Sequence, residues 1–155
     1  MFLIDANVLA YALNAVAPQH AHSRAAVDAA LEGSLPGVLV PQVLLECFAT
    51  VSNPHKVPRP LAPLEAWREM DKLRAALPVL QVRPEALTYL GQLLPGRRVR
   101  GAGIFDLFLV AQMRSHGVAS ICTYNIQDFD RLPGIEARTP EEVLARYDIQ
   151  QEPDH

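Results

Sequence analysis

The chain has 155 residues, of which half are hydrophobic and a fifth are charged, and its formal net charge is −3. This length suits one domain, and the high apolar content with low net charge excludes an intrinsically disordered chain. The longest uninterrupted apolar run covers six residues, 8–13, whereas a membrane-spanning helix needs about 20. Two cysteines do not make a disulfide framework. No basic segment precedes the apolar residues at the start, which argues against a signal peptide. We therefore expect a cytoplasmic globular protein.

Short apolar segments alternate along the chain with segments of helical periodicity. The segment 53–63 interrupts this alternation, since its four prolines exclude a regular helix. In chain order, the pattern predicts a strand at 2–4, helices at 5–13 and 20–31, a strand at 37–40, helices at 43–51 and 63–77, a weak strand at 79–82, helices at 85–94 and 104–116, a strand at 119–122, a turn region at 128–133, a short segment at 134–137 and a helix that begins near 139.

This order of elements predicts an α/β fold with a central parallel sheet of four to five short strands, flanked by helices on both faces. We assign residues 1–147 to this single domain and residues 148–155 to a polar C-terminal tail. In sheets of this kind, ligands bind at the carboxyl ends of the strands. Functional residues are therefore expected directly after the predicted strands.

Four acidic residues stand in apolar surroundings: Asp5, Glu46, Asp106 and Asp128. Each has an ordinary structural explanation when it is considered alone. Asp5 can cap the following helix, Glu46 can reach solvent beside the buried stripe, and Asp128 can belong to a turn. Asp106 suits the dipole of a helix first turn, but that helix is apolar all round, which predicts that Asp106 is buried.

Together, the four acids favour a metal site. A buried carboxylate costs several kcal/mol unless it is paired, and lysines are almost absent near these positions, Lys56 beside Glu46 excepted. A divalent cation can hold such carboxylates instead, and ligands that are all oxygen select Mg²⁺ or Mn²⁺ over zinc. His20 and His22 are two residues apart on a predicted helix and cannot share a ligand face.

Three segments resemble motifs of one protein family. Residues 2–9, Phe-Leu-Ile-Asp-Ala-Asn-Val-Leu, are similar to the opening of a PIN domain. Residues 103–106, Gly-Ile-Phe-Asp, continue into Leu-Val-Ala at 109–111 and resemble the helix that carries its third acid. Residues 123–129, Thr-Tyr-Asn-Ile-Gln-Asp-Phe, resemble its closing motif. The resemblance spans residues 2 to about 136, and the nearest branch is the VapC-type toxin ribonucleases of toxin–antitoxin pairs.

The resemblance implies an endoribonuclease that cleaves single-stranded regions of RNA with Mg²⁺ or Mn²⁺, forms a homodimer and is neutralised by an antitoxin. By position, Asp5, Glu46, Asp106 and Asp128 take the acidic places. We assign Asp5 and Asp106 as metal ligands, and Glu46 as a ligand or as the base that orients water. Asp128 is assigned to a second metal ion or its waters.

The chain departs from the family pattern at two positions. Position 7 is Asn where Ser or Thr is frequent, and position 125 is Asn where many relatives place the fourth acid. Asp128 therefore becomes the expected fourth acid, and Asn125 is a neutral ligand or a hydrogen-bond donor behind the ligands. Asn7 and Thr123 are expected to orient the ligands from behind.

Arg97, Arg98 and Arg100 lie just before the predicted helix that carries Asp106. One interpretation is a solvated loop. The other is a phosphate grip at the edge of an acidic pocket, because such a pocket repels RNA and needs nearby cations.

Two alternatives to a ribonuclease stay open on the sequence. One is a phosphatase or phosphotransferase built on an acidic metal pocket. A receiver-type signalling domain fits less well, because it needs a lysine after a late strand and no lysine follows Lys72 in this chain. The other is a non-catalytic scaffold of the same fold that binds RNA or protein. The presence of all four acids argues against that loss of activity.

Overall fold

A computed structural model describes residues 1–151, with side chains to residue 148. Its eight helices and four strands follow the predicted order with two exceptions, a missing strand at 79–82 and an added short helix at 126–129. The strands are β1 (Phe2–Ile4), β2 (Gly37–Val38), β3 (Ser120–Cys122) and β4 (Glu136–Arg138). The helices are α1 (Ala6–Leu13), α2 (His20–Leu31), α3 (Pro41–Val51), α4 (Pro63–Ala76), α5 (Glu85–Leu93), α6 (Ile104–Ser115), α7 (Ile126–Phe129) and α8 (Pro140–Gln151), and a 3-10 turn covers Gly101–Gly103.

The four strands form one parallel sheet in the order β2-β1-β3-β4. All three residues of β1 are buried. Because successive side chains of a strand point to opposite faces, both faces of this central strand are covered. This confirms the predicted α/β fold with helices on both sides of a parallel sheet.

The predicted strand at 79–82 does not form. Only Val79 pairs with the sheet, through an isolated parallel bridge to Leu39. The segment after β2 cannot pair further with residues 80–82, because α3 begins at Pro41 and proline cannot donate a hydrogen bond to a sheet. The sheet therefore has four strands within residues 1–151, the lower of the two predicted numbers.

Two further boundaries differ from the sequence-based expectation. The predicted turn at 128–133 overlaps α7, a single helical turn that was not expected. Helix α8 runs to Gln151, so it includes the first residues assigned to the polar tail, and residues 152–155 of that tail lie outside the described part. Both differences concern short or terminal elements, where hydrophobic periodicity carries little information.

Both cysteines are free and buried. Burial raises the pKa of Cys47 and of Cys122 to about 12, so both remain neutral thiols at physiological pH. Within residues 1–151, no helix is long and apolar enough to cross a membrane.

Candidate active site

The parallel sheet brings residues that are far apart in the sequence to one edge. Asp5 directly follows β1, and Thr123 directly follows the neighbouring β3. The two strands pair in register, with Ile4 opposite Cys122, and the Asp5 amide donates to the Cys122 carbonyl at 3.0 Å. The carboxyl ends of β1 and β3 therefore place Asp5 and Thr123 side by side, as the parallel arrangement predicts.

Asp5 is the buried acid of this edge, with 6% of its surface exposed. Its Oδ1 accepts a hydrogen bond from the Ala6 amide at 2.7 Å, which caps α1. Its Oδ2 accepts from Thr123 Oγ1 at 2.6 Å and from Asn7 Nδ2 at 3.0 Å. Asp5 is therefore both a helix cap and an acid held at the carboxyl ends of the strands.

Asn7, Thr123 and Asn125 form one hydrogen-bonded group beside the Asp5 carboxylate. Thr123 Oγ1 accepts hydrogen bonds from Asn7 Nδ2 at 3.1 Å and from the backbone amide of Asn125 at 3.0 Å. Asn7 Oδ1 in turn accepts from the Tyr124 amide at 3.3 Å. With its two acceptor positions used, the Thr123 hydroxyl has its hydrogen left for Asp5, and the group holds the carboxylate in one orientation.

A cavity of about 500 Å³ opens in front of Asp5. Its walls bring Glu46 from α3 and Asp106 from α6 to the same space as Asp5. The other lining residues are Ala6, Asn7, Ala10, Tyr11, Asn14, Ala49, Thr50, Lys56, Val57 and Asn125. Three of the four acids singled out in the sequence therefore share one cavity.

Two acids of this cavity, Asp5 and Asp106, have raised pKa values. Burial raises the pKa of Asp5 to about 6, and the charges of Glu46 and Asp106 add to this shift, while the hydrogen bonds from Thr123 and Ala6 oppose it. Desolvation by neighbouring groups also raises the pKa of Asp106, although the residue as a whole is exposed, and the charges of Asp128 and Glu46 contribute. The cavity is consequently a region of negative potential that attracts a cation.

The prediction that Asp106 is buried is wrong, since both Asp106 and Phe105 are exposed. The buried face of α6 begins with Leu107 and continues through Leu109–Met113. The first turn of α6 instead borders the cavity, so its apolar composition does not reflect burial. Glu46 is half-buried, Asp128 is exposed, and Asp5 is thus the buried member of the four acids.

The fourth acidic place is divided between two residues. Asn125 lines the cavity, whereas Asp128 lies in α7 outside the lining. Asp128 nevertheless lies close enough to raise the pKa of Asp106 by its charge. The geometry thus gives Asn125 the position at the wall and Asp128 an electrostatic influence on the neighbouring acid.

The three arginines of the loop before α6 are not among the lining residues of the cavity, although Arg98 and Arg100 are exposed. Lys56 lines the cavity instead, and none of the ion pairs within residues 1–148 involves it. Its backbone is anchored by hydrogen bonds from the Lys56 and Val57 amides to the Asn53 carbonyl. Sequence reasoning noted Lys56 only as a neighbour of Glu46, because the proline-rich segment around it has no periodicity that predicts where it folds.

The cavity offers a divalent cation a limited set of donor atoms. As they stand, no three His, Cys, Asp or Glu side chains among the described residues are arranged to hold a metal ion. Mg²⁺, however, keeps several waters and takes only one or two carboxylates in many protein sites. Asp5, Glu46, Asp106 and Asn125 present only oxygen ligands and amide groups to the cavity, a set that fits a hard cation bound partly through water.

Comparisons with known proteins agree with this architecture. The chain matches the family model of the PIN domain over residues 2–135. It is 31% identical to Ribonuclease VapC48 of Mycobacterium tuberculosis over 141 residues, which cover 88% of this chain and 94% of the relative. It is also 30% identical to Ribonuclease VapC24 of the same organism over 131 residues, which cover 83% of this chain and 89% of the relative.

Solved structures show the same fold at lower identity. VapBC2 from Rickettsia felis, bound to a DNA fragment from its promoter, aligns with a TM-score of 0.64 and 17% identity over 89% of this chain and 97% of that one. VapC20 of Mycobacterium tuberculosis, a sarcin-ricin loop cleaving toxin, aligns with a TM-score of 0.60 and 17% identity over 83% and 92%. A toxin-antitoxin complex from Klebsiella pneumoniae aligns with a TM-score of 0.57 and 16% identity over 90% and 98%.

Proposed function

The chain belongs to the PIN-domain family and, within it, to the VapC-type ribonucleases, and from this we propose that it is a metal-dependent endoribonuclease that hydrolyses phosphodiester bonds of RNA. The observation that carries the proposal is the cavity at the carboxyl edge of the sheet, where the buried Asp5 faces Glu46 and Asp106. The two named ribonuclease relatives cover most of the chain, which supports the same reaction class. Asp5, Glu46, Asp106 and Asp128 are its proposed catalytic acids.

Asp5 and Asp106 would hold Mg²⁺ or Mn²⁺, with Glu46 as a further ligand or as the base that orients the attacking water. The bound cation would stabilise the negative charge that develops on the phosphate and lower the pKa of water. Thr123 and Asn7 keep the Asp5 carboxylate in place through their hydrogen bonds to Oδ2. Their role follows the rule that residues behind the ligands fix the orientation of those ligands.

RNA binding needs a cation near this acidic cavity, because the acids repel the phosphate backbone. Lys56 lines the cavity and is exposed. We therefore assign it the contact with the phosphate at the cleavage position. Arg97, Arg98 and Arg100 precede α6 and would contact the RNA farther from that position, as a basic edge without sequence preference.

The proposed biological role is that of the toxin in a type II toxin–antitoxin pair. Structural relatives from Klebsiella pneumoniae and Rickettsia felis are toxin–antitoxin assemblies, which supports an antitoxin protein as the partner. We place the chain in the cytoplasm, in agreement with its two free, buried thiols. A small neighbouring gene for a DNA-binding protein, whose product suppresses the growth arrest caused by this chain, is the expected genetic observation.

We also propose a homodimer. Leu45, Val82 and Phe105 are 58%, 50% and 55% exposed and border an apolar groove of about 450 Å³ on the outer side of α3 and α6. Exposed apolar surface of this kind is typical of protein interfaces. Light scattering is expected to give a dimer, and Leu45→Glu is expected to shift it toward monomer.

Cleavage of a mixed RNA pool tests the function. The wild-type chain is expected to cut RNA with Mg²⁺ or Mn²⁺ and to stop in EDTA. Asp5→Asn is expected to be inactive, while Asp28→Asn, which removes an exposed acid paired with Arg24 on α2, serves as the matched control and stays active. Cleavage that persists in EDTA would contradict the metal dependence, and cleavage by Asp5→Asn would contradict the assigned site.

A further inference from the structure

A single side-chain amide joins the two helices that carry cavity acids. Gln42 lies in the first turn of α3. Its Nε2 donates to Glu46 Oε1 at 2.8 Å and to the main-chain carbonyl of Phe105 at 2.9 Å. Phe105 directly precedes Asp106. The Gln42 amide thus touches the Glu46 carboxylate itself and the backbone one residue before Asp106.

A second glutamine contacts the oxygen end of the Gln42 amide. Gln112 on α6 is almost completely buried, with 1% of its surface exposed, and its Nε2 donates to Gln42 Oε1 at 2.8 Å. Because Gln42 Oε1 accepts this hydrogen bond, the Gln42 Nε2 group is the part that faces Glu46 and Phe105. The two acceptors, Glu46 Oε1 and the Phe105 carbonyl, require the donor end of the Gln42 amide, and Gln112 holds its other end.

The Gln112 side chain is not explained by stability. Its Oε1 is buried and has no hydrogen-bond partner among the described residues. An unpaired buried acceptor destabilises a protein, whereas an apolar side chain of similar shape at the same place carries no such cost. A buried amide kept at this cost is consistent with a role in holding Gln42.

The contact also leaves one oxygen of Glu46 available. Gln42 binds Oε1, and no hydrogen bond within the described part of the chain uses Glu46 Oε2. Since Glu46 lines the cavity, its carboxylate is held at one oxygen and is open to a ligand at the other. A carboxylate restrained in this way loses little rotamer freedom when it binds a cation or a water molecule.

We propose that Gln42 and Gln112 are positioning residues of the nuclease site: Gln112 holds the oxygen end of the Gln42 amide, and Gln42 holds Glu46 and the start of α6 in one arrangement around the cavity. This inference rests on the proposed function and extends it to two residues that do not line the acidic cavity. The apolar substitutions Gln42→Met and Gln112→Met remove the hydrogen bonds while nearly preserving side-chain volume. Gln92→Met, at an exposed position of α5, is the matched control.

We expect both variants to lower kcat for RNA cleavage and to weaken Mn²⁺ binding measured by calorimetry, by about 10- to 100-fold, the usual effect of losing a residue that supports metal ligands. The KM for RNA is expected to change less than kcat, because neither glutamine contacts the proposed phosphate position. Gln112→Met removes the unpaired acceptor of Gln112 but leaves Gln42 Oε1, on a half-buried side chain, without its donor, so the Tm is expected to change little. A purely structural role predicts a lower Tm with unchanged Mn²⁺ affinity, and that result would overturn the proposal.

A double-mutant cycle tests whether the pair acts through Glu46. In a Glu46→Gln background, Gln42→Met is expected to cause a smaller loss of Mn²⁺ affinity and cleavage than in wild type, because only its contact with the Phe105 carbonyl is left to lose. An equal loss in both backgrounds, or behaviour of Gln42→Met identical to that of Gln92→Met, would overturn the inference. If the wild-type chain itself cleaves no better than Asp5→Asn, the proposed function fails, and the Mn²⁺ affinities of the same variants still decide whether the two glutamines position the site.

Discussion

Thr123 Oγ1 donates a 2.6 Å hydrogen bond to Asp5 Oδ2, and this contact links the residues that follow two adjacent parallel strands. Thr123 has no exposed surface. The hydrogen bond opposes the effect of burial on the pKa of Asp5. A hydroxyl that is 118 positions away in the sequence therefore helps to keep Asp5 ionised.

Replacing this hydroxyl is expected to shift the pH dependence of the enzyme. Thr123→Val removes the donor at nearly constant volume, so the pKa of Asp5 rises further above its value of about 6 and more metal is displaced by protons near neutrality. The acid limb of the cleavage–pH profile is therefore expected to move to higher pH. Thr123→Ser keeps the hydroxyl and is expected to restore the wild-type profile; an unshifted profile for Thr123→Val would contradict this role of Thr123.

Asp5 is also expected to make the metal-free protein less stable as pH rises. The pKa of Asp5 is about 6 in the folded chain, against an ordinary value of 3.8 that we take for the unfolded chain. Between these two pH values the folded chain therefore binds a proton that the unfolded chain has released. Its contribution therefore favours folding below pH 4 and is lost as pH rises to about 6, by about 3 kcal/mol at ~1.4 kcal/mol per pH unit.

Urea unfolding in EDTA at pH values from 4 to 8 measures this contribution. The difference between wild type and Asp5→Asn isolates it from opposing groups such as Glu136, whose pKa is lowered by its hydrogen bond with Arg138. The difference is expected to change across the interval from pH 4 to 6 and to stay constant above pH 7. A difference that is constant over the whole range would show that Asp5 is not the titrating group.

Lys56 is expected to contribute to substrate binding and not to folding. Lys56→Ala removes the positive charge that faces the cavity, so the KM for RNA is expected to rise and the slope of log K against log salt to fall by about 0.7 for one lost contact with single-stranded RNA. Lys72→Ala, which breaks an exposed pair with Glu69 on α4, is the control. Equal effects of the two substitutions would contradict a cavity contact.

The loop arginines are expected to behave differently from Lys56. Substitution of Arg97, Arg98 and Arg100 together by alanine is expected to weaken RNA binding and its salt dependence while leaving Mn²⁺ affinity and the single-turnover rate at saturating RNA unchanged. Filter binding at several salt concentrations measures the first effect. Normal RNA binding by the triple variant would identify the loop as a solvated connection.

Asn125 and Asp128 are distinguished by charge and by position. We expect Asp128→Asn to weaken Mn²⁺ binding more than Asn125→Ala does, because a divalent ion gains most from anionic groups, and Asp128 acts on Asp106 from beside the cavity. Asn125→Asp adds an acid at the cavity wall and is expected to tighten Mn²⁺ binding. Calorimetry on the three variants decides this; an inactive Asn125→Ala with a silent Asp128→Asn would assign the fourth place to Asn125.

The sequence alone was sufficient for the order of elements and for the position of Asp5. Alternation of apolar strands with amphipathic helices is a local property, and it predicted the parallel α/β sheet that the structure contains. An acid that directly follows a short apolar strand must lie at the carboxyl end of that strand. Asp5 could therefore be assigned to the carboxyl edge of the sheet without knowledge of its neighbours.

Tertiary packing decided the exposure of Asp106 and the presence of Lys56 in the cavity. Helix α6 is apolar in sequence on both sides of Asp106, but whether a turn is covered depends on what packs against it, and Phe105 and Asp106 are exposed in the fold. Lys56 lies in a proline-rich segment whose course is set by contacts of Val57 and Asn53, not by periodicity. Likewise, the 70-residue separation of Gln42 and Gln112 closes only when α3 and α6 pack together, because hydrogen bonds between side chains are short and depend on the final positions of both helices.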